Sequence, residues 1–204
     1  MKSNPRDNFY TPRYAIEILL PFIPKEIDFI WECASGEGNI SKVLREQEKW
    51  AVVESDLADE NKSDFFDDKF IPEMLYYMKS AIITNPPFGI KKKFFLRCME
   101  LGLPFALLIP LDYSGWVIDA IDRGGCEKII PTRRIDYVTP FICDLVVKKG
   151  LTKERHNNWR DIPEQMIVKA SSSDFHSGWF TWNFGLGRSE TFVDLTLDMK
   201  KRMF

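Results

Sequence analysis

Short apolar runs alternating with longer amphipathic segments constrain this chain more than any other feature. Isoleucine, valine and phenylalanine gather in the runs "IDFIWEC", "WAVVES", "SAIIT" and "FALLIP". Runs this short and this apolar suit strands buried on both faces of a sheet. Between them Ile40, Val43 and Leu44, and later Phe94, Phe95, Cys98 and Leu101, recur at helical spacing among charged residues. Strands alternating with helices predict an α/β fold, with a mostly parallel sheet and helices on both faces. A short extended piece is expected at "DFF", residues 64–66, and a helix through Met74 and Tyr77. The last third changes character, because "CEKIIPTRRIDYV" and "GWFTWNFG" alternate as antiparallel strands do, and a C-terminal antiparallel hairpin is expected there. Residues 148–177 are polar and irregular and read as a long connection.

The 204 residues suit one compact domain, expected to span 1–204. A hydrophobic share of 45% beside 28% charged residues is that of a globular chain, and no apolar run approaches the roughly 20 residues of a membrane span. The start, "MKSNPRDNFY", lacks the apolar core of a signal peptide. Cys33, Cys98, Cys126 and Cys143 stand apart from one another and from histidine, so no metal site is expected, and they read as reduced thiols in a cytoplasmic protein. A formal charge of -2 argues against holding nucleic acid by bulk electrostatics. A local basic face can still form from Lys91, Lys92, Lys93 and Arg97, from Arg133 and Arg134, and from Lys148, Lys149, Lys153, Arg155 and Arg160.

Three motifs carry chemistry. In "WECASGEGN" the acid Glu32 closes the first strand, and Ala34, Gly36 and Gly38 precede a helix. Backbone that only glycine leaves bare is where a nucleotide-like ligand lies in such a sheet. The second strand ends "VVESDL", placing Asp56 and Leu57 over the strand ends, where a carboxylate can accept hydrogen bonds from both hydroxyls of a ribose. No third spaced glycine and no phosphate-binding lysine follow, which disfavours NAD and ATP and leaves an adenosine without phosphates. The third motif, "AIITNPPFGI", runs a buried strand, expected as the fourth, into Asn85-Pro86-Pro87-Phe88. Asn85 has a side-chain carbonyl, and Pro86 contributes a main-chain carbonyl while lacking an N–H. Two acceptors close together suit an exocyclic amine with two hydrogens to donate. Pro86 and Pro87 stiffen the turn, and Phe88 offers a flat ring to a flipped base.

The combination resembles S-adenosylmethionine-dependent amino-methyltransferases. "NPPF" is similar to their catalytic motif, with Asn85 first and Phe88 fourth as in the enzymes that methylate adenine N6 in DNA; cytosine-N4 enzymes usually begin it with serine. "ECASGEG" resembles the motif that binds the methionine part of the cofactor. "FYTPRYAIEIL" resembles the N-terminal motif that contacts the cofactor, which assigns Phe9, Tyr10, Thr11 and Pro12 to it. "SDFF" resembles the motif whose acid, here Asp64, accepts a hydrogen bond from the cofactor's adenine amine while Phe65 packs near that ring. "SGWFTWNFG" resembles the last core strand of small phage or prophage members. The resemblance implies a Rossmann-like methyltransferase fold with a seven-stranded sheet, S-adenosylmethionine as cofactor, DNA as partner, no membrane, and a place in the cytoplasm, that of the host for a phage enzyme. Familiar relatives add a target-recognition domain. Here none is expected, and recognition falls to residues 111–134, to residues 148–177 or to a partner subunit, or sequence specificity is weak. Tyr113, Trp116, Trp159 and Trp179 are candidate wedges between bases.

Other readings of the same residues stay open. Adenine in RNA and the amide of a protein glutamine are amine acceptors that the same Asn-Pro-Pro turn can serve. A methyltransferase-like fold can persist as a DNA-binding module without catalysis. Fold alone also allows an NAD-dependent oxidoreductase, although no hydride-transfer site accompanies it.

Overall fold

The computed structural model describes residues 9–60, 62–137 and 175–201. Seven strands form one sheet: β1 (Phe29–Glu32), β2 (Ala51–Glu54), β3 (Ser80–Thr84), β4 (Phe105–Pro110), β5 (Cys126–Pro131), β6 (Ser177–Trp182) and β7 (Glu190–Val193). Their order is β2-β1-β3-β4-β6-β5-β7. β1 pairs in parallel with β2 and β3, β3 with β4, and β5 with β7, whereas β6 runs antiparallel to both β4 and β5. This is the expected Rossmann-like methyltransferase architecture. The antiparallel partners at the C-terminal end are the expected ones, with β6 inserted between β4 and β5.

Alternating side chains divide the core between the two faces of the sheet. Ile30, Ala81, Ile83, Ala106 and Leu108 share one face with α1 (Arg13–Glu17) and α2 (Asn39–Arg45). Phe29, Trp31, Ile82, Phe105 and Leu107 face the other way, against α3 (Lys91–Leu101) and α4 (Gly115–Asp122). Neighbouring residues of one strand thus enter opposite cores, which is why the runs read as continuously apolar. Two buried indoles find partners: the N–H of Trp31 donates to Ser55 Oγ at 2.8 Å, and that of Trp179 donates to the Ala15 carbonyl at 2.7 Å. The second bond fastens α1 to β6.

Three expectations need correction. "DFF" is a turn, not a strand: Asp64 Oδ1 accepts the amide of Phe66 at 3.0 Å and bends the chain, so the strand before Asn85 is the third and not the fourth. The helix through Met74 and Tyr77 is a single 3-10 turn, Glu73–Tyr76, confined between Pro72 and the start of β3; only Leu75 of it is buried. The strand expected to run through 126–138 stops at Pro131, and β7, a short edge strand with alternating polar residues, was not foreseen.

Cys33, Cys98 and Cys126 are buried and unpaired; Cys143 lies outside the described residues. Among the described residues no helix is long and apolar enough to cross a membrane, and no cluster of three or more His, Cys, Asp or Glu is placed to hold a metal ion.

Candidate active site

The parallel strands all end at one edge, and the motifs gather there. Glu32 and Glu54 are register partners at the ends of β1 and β2, and the amide of Ser55 donates to the Glu32 carbonyl at 2.9 Å. Beyond them the chain turns through Gly36 and Gly38, with φ of +52° and +71°, values that a side chain disfavours. No atom lies within 4 Å of the place a Cβ would occupy on Gly36, so bare backbone faces open space there. Asp56 ties this turn to the end of β2: its Oδ2 accepts the Gly36 amide and its Oδ1 the Ala58 amide, both at 2.8 Å.

Glu32 points elsewhere. Its carboxyl is 1% exposed and lies against the first turn of α2, where Oε2 accepts the Ser41 amide at 2.7 Å and a short hydrogen bond from the Ser41 hydroxyl. Burial pushes its pKa up to about 8, against the opposing pull of those two donors. Glu32 therefore shapes the glycine turn from inside. Ser41, which holds it, was not anticipated; a serine following Gly-x-Gly-Asn is an ordinary helix residue in sequence.

At the end of β3, Asn85 is half-buried and Pro86 is buried. The Asn85 amide donates from Nδ2 to the Phe9 carbonyl at 2.9 Å. Its Oδ1 is buried and has no hydrogen-bond partner among the described residues. An acceptor left in this condition costs about 1–3 kcal/mol; Thr84 Oγ1 and Thr191 Oγ1 share it, and Asn85 differs from them in standing in the turn just past the carboxyl end of β3. Pro87 opens a 3-10 turn, Phe88–Ile90, that leads into α3.

Phe88 belongs to an aromatic cluster. Phe9 stacks on it with ring centroids 4.8 Å apart at 22°, while Phe175 and Tyr137 meet it edge-on at 5.4 and 5.8 Å. Phe9 also touches Tyr137 and Phe175, at 5.5 and 5.7 Å. The flat ring expected to await a base therefore carries Phe9 on one of its faces. Tyr137 and Phe175 were not anticipated either, because nothing local in sequence connects them to residues 85–88. Burial holds the Tyr137 hydroxyl well above the usual tyrosine range.

The remaining expected residues divide between edge and core. Thr11 and Pro12 are buried where the N-terminal segment meets the sheet, Tyr10 is half-buried, and Leu57 is exposed beside Asp56. Ala34 packs partly into the second core. Asp64 is half-buried, with Oδ1 used in its own turn, whereas Phe65 is a core residue: it stacks on Phe94 at 4.8 Å and meets Trp31 at 5.3 Å. Of the candidate wedges, Trp179 is fully buried and Trp116 packs on Phe95 at 5.2 Å. Tyr113 is 64% exposed beyond β4, and Trp159 lies outside the described residues.

The basic clusters are partly spent on ion pairs. Lys91 pairs with Asp112, and Arg97 is buried between Asp68 and Glu100. Burial alone would raise the Asp112 carboxyl; the hydrogen bonds from Lys91 and Ser114 outweigh it and hold the group below the usual carboxylate range. Lys92, Lys93, Arg133 and Arg134 are exposed, and the basic residues from Lys148 to Arg160 lie outside the described residues.

Compared with known proteins, the chain matches no family model and no curated sequence.

Proposed function

We propose that this protein is an S-adenosylmethionine-dependent methyltransferase acting on the N6 amine of adenine in DNA. The observation that carries the reading is Asn85: its carboxamide is fastened by the nitrogen and keeps a buried oxygen unpaired at the carboxyl edge of the sheet. In this reading Oδ1 and the Pro86 carbonyl accept the two hydrogens of the substrate amine. An aryl amine shares its lone pair with the ring, so two such hydrogen bonds draw the nitrogen toward tetrahedral geometry and free that pair for attack. As the N–C bond forms the C–S bond breaks with its electrons leaving on sulfur, and the nitrogen loses a proton to solvent afterwards. No strongly basic residue is required. Positioning and fixed acceptors supply the catalysis.

The edge also fits the cofactor in kind. Bare backbone at Gly36 faces open space, the Asp56 carboxylate retains lone pairs beside it, and Asp64 lies half-buried in the following turn. Those residues, with Tyr10, Thr11 and Leu57, would hold S-adenosylmethionine, which supplies a methyl group on a positively charged sulfur when bound. Glu32 and Phe65 would support this site from the interior.

A second reading rests on the stacked rings. With Phe9 against one face of Phe88, that ring offers less platform to a base, and a protein glutamine amide needs none. One experiment separates the two. The protein is expressed in a host lacking adenine methylation, and genomic DNA, RNA and protein are analysed for methylated adenine and methylglutamine. Methyladenine in a consistent short DNA context is the expected outcome. Methyl groups in RNA or protein alone would replace the DNA assignment, and their absence from all three pools, with the protein folded, would end it.

A further inference from the structure

The carboxamide of Asn85 has two ends of almost the same shape, and among the described residues the one hydrogen bond to either end is that of Nδ2 to the Phe9 carbonyl. A catalytic acceptor is useful only if the oxygen faces the substrate. Resting on the function proposed above, we infer that Phe9 sets this choice, and that it is a positioning residue for Asn85 more than a contact of the cofactor. A carbonyl oxygen can only accept, so the Phe9 carbonyl at 2.9 Å takes the NH2 end of the carboxamide, and Oδ1 is turned away from it.

Phe9 can do this because it is itself held on both sides. Its ring lies on Phe88, with Tyr137 and Phe175 against its edges. Downstream, Thr11 is buried, Pro12 is extended at φ -72° and ψ 149°, and α1 is fastened through the Ala15 carbonyl to Trp179. One residue thus grips the Asn-Pro-Pro-Phe turn at both ends, by its carbonyl on Asn85 and by its ring on Phe88. The N-terminal segment, 76 positions away in sequence from Asn85, becomes part of the acceptor's geometry.

The test compares Phe9→Ala with Phe9→Tyr, which keeps the ring. In a nitrogen-15 spectrum, the Asn85 side-chain amide is assigned by its loss in Asn85→Ala. Hydrogen exchange of that amide should be slow in the wild type and in Phe9→Tyr, and about 10-fold or more faster in Phe9→Ala. This measurement needs no activity, so it decides the inference even if no methyl acceptor is found and the proposed function fails. In the methylation assay Phe9→Ala should lose about 10-fold or more in kcat. Its S-adenosylmethionine Kd by calorimetry should stay within about threefold of wild type. Unchanged amide exchange in a folded Phe9→Ala protein would overturn the inference. So would a loss of cofactor affinity that matches the loss of turnover, which would make Phe9 a cofactor residue instead. If Phe9→Ala does not fold, Phe9→Leu, which keeps apolar bulk without a stacking face, takes its place with the same two outcomes.

Discussion

At the glycine turn between β1 and α2, the carboxylates are engaged by the chain's own amides: Glu32 by Ser41, and Asp56 by Gly36 and Ala58. At the Asn-Pro-Pro turn between β3 and α3, one strand over, the chain engages only half of a carboxamide and leaves the other half buried and unpaired. The first turn spends its polar groups on its own shape. The second holds one in reserve. A surface that binds mainly by shape can be complete before its ligand arrives, whereas a group that must act on a substrate has to be left unsatisfied and then held still. The fold absorbs that cost in two apolar cores, one on each face of the sheet.

The contrast breaks most directly at Asn85. Asn85→Ala removes the reserved acceptor, and turnover should fall on the order of 100-fold or more while S-adenosylmethionine binding by calorimetry stays near wild type. Methylation near the wild-type rate would show that the unpaired oxygen has no catalytic use. The glycine turn should behave in the opposite way. Gly38→Ala forces a side chain into φ +71° and puts its Cβ 3.0 Å from Glu54 Oε2. The Glu54 side chain is exposed and can move, so the backbone conformation dominates, at about 1–2 kcal/mol. When the substituted turn relaxes in the free protein and must return to this conformation to bind, that cost is expressed as roughly a 10-fold rise in the cofactor Kd. The kcat at saturating cofactor should change little. If both variants lost turnover and affinity together, the division of labour between the turns would be wrong.

Much of this was legible in the sequence, and the reasons for the failures are physical. The strands that carry the site were readable because β1, β3 and β4 are buried on both faces and hence mostly apolar, with polar residues only at the ends of β1 and β3. β7 was not, since an edge strand buries only part of its side chains and its residues look like loop. "DFF" looked extended from its aromatics, but Asp64 bonds the amide two residues on, a local turn, and Phe65 is drawn between Trp31 and Phe94, a tertiary contact that outweighs strand preference. Asn85 was found because the turn residues Pro86 and Pro87 have no purpose in a strand or helix. Its anchor at Phe9 and the rings of Tyr137 and Phe175 could not be found that way, because they reach the turn only through the packing of α1 and the ordering of β6 between β4 and β5.

Glu32 sharpens the contrast in a smaller way, through stability and pH. Burial pushes its carboxyl up to about 8 in the folded protein, from an ordinary value of 4.5. The folded state thus holds its proton where the unfolded chain has released it, so this group's contribution is fully present below about pH 4.5 and is lost as pH rises toward 8. Glu32→Gln cannot ionise. Thermal melts should show the variant gaining on wild type steadily from pH 4.5 to 8, with the difference flat above that range. A difference independent of pH would mean that Glu32 stays charged, held by Ser41 as a carboxylate.

The smallest effect is expected at Lys91, where α3 begins directly after the Asn-Pro-Pro turn. Its ammonium pairs with Asp112, with side-chain exposures of 21% and 33%, so the pair is neither fully screened nor fully desolvated. Lys91→Gln should cost about 0.5–1 kcal/mol. The Asp112 carboxyl lies below its ordinary range, so the contribution is present above the unfolded carboxylate pKa and fades as pH falls through the folded one. The gap between variant and wild type should therefore close in acid, opposite in direction to the change at Glu32. Turnover of Lys91→Gln should remain within about threefold of wild type, because Pro86, Pro87 and the Phe9 contacts already fix the turn from within and above. A loss of turnover as large as that of Asn85→Ala would show that the reserved acceptor is held in place from α3 rather than by the N-terminal segment, and the two turns would then differ in their anchors as well as in their saturation.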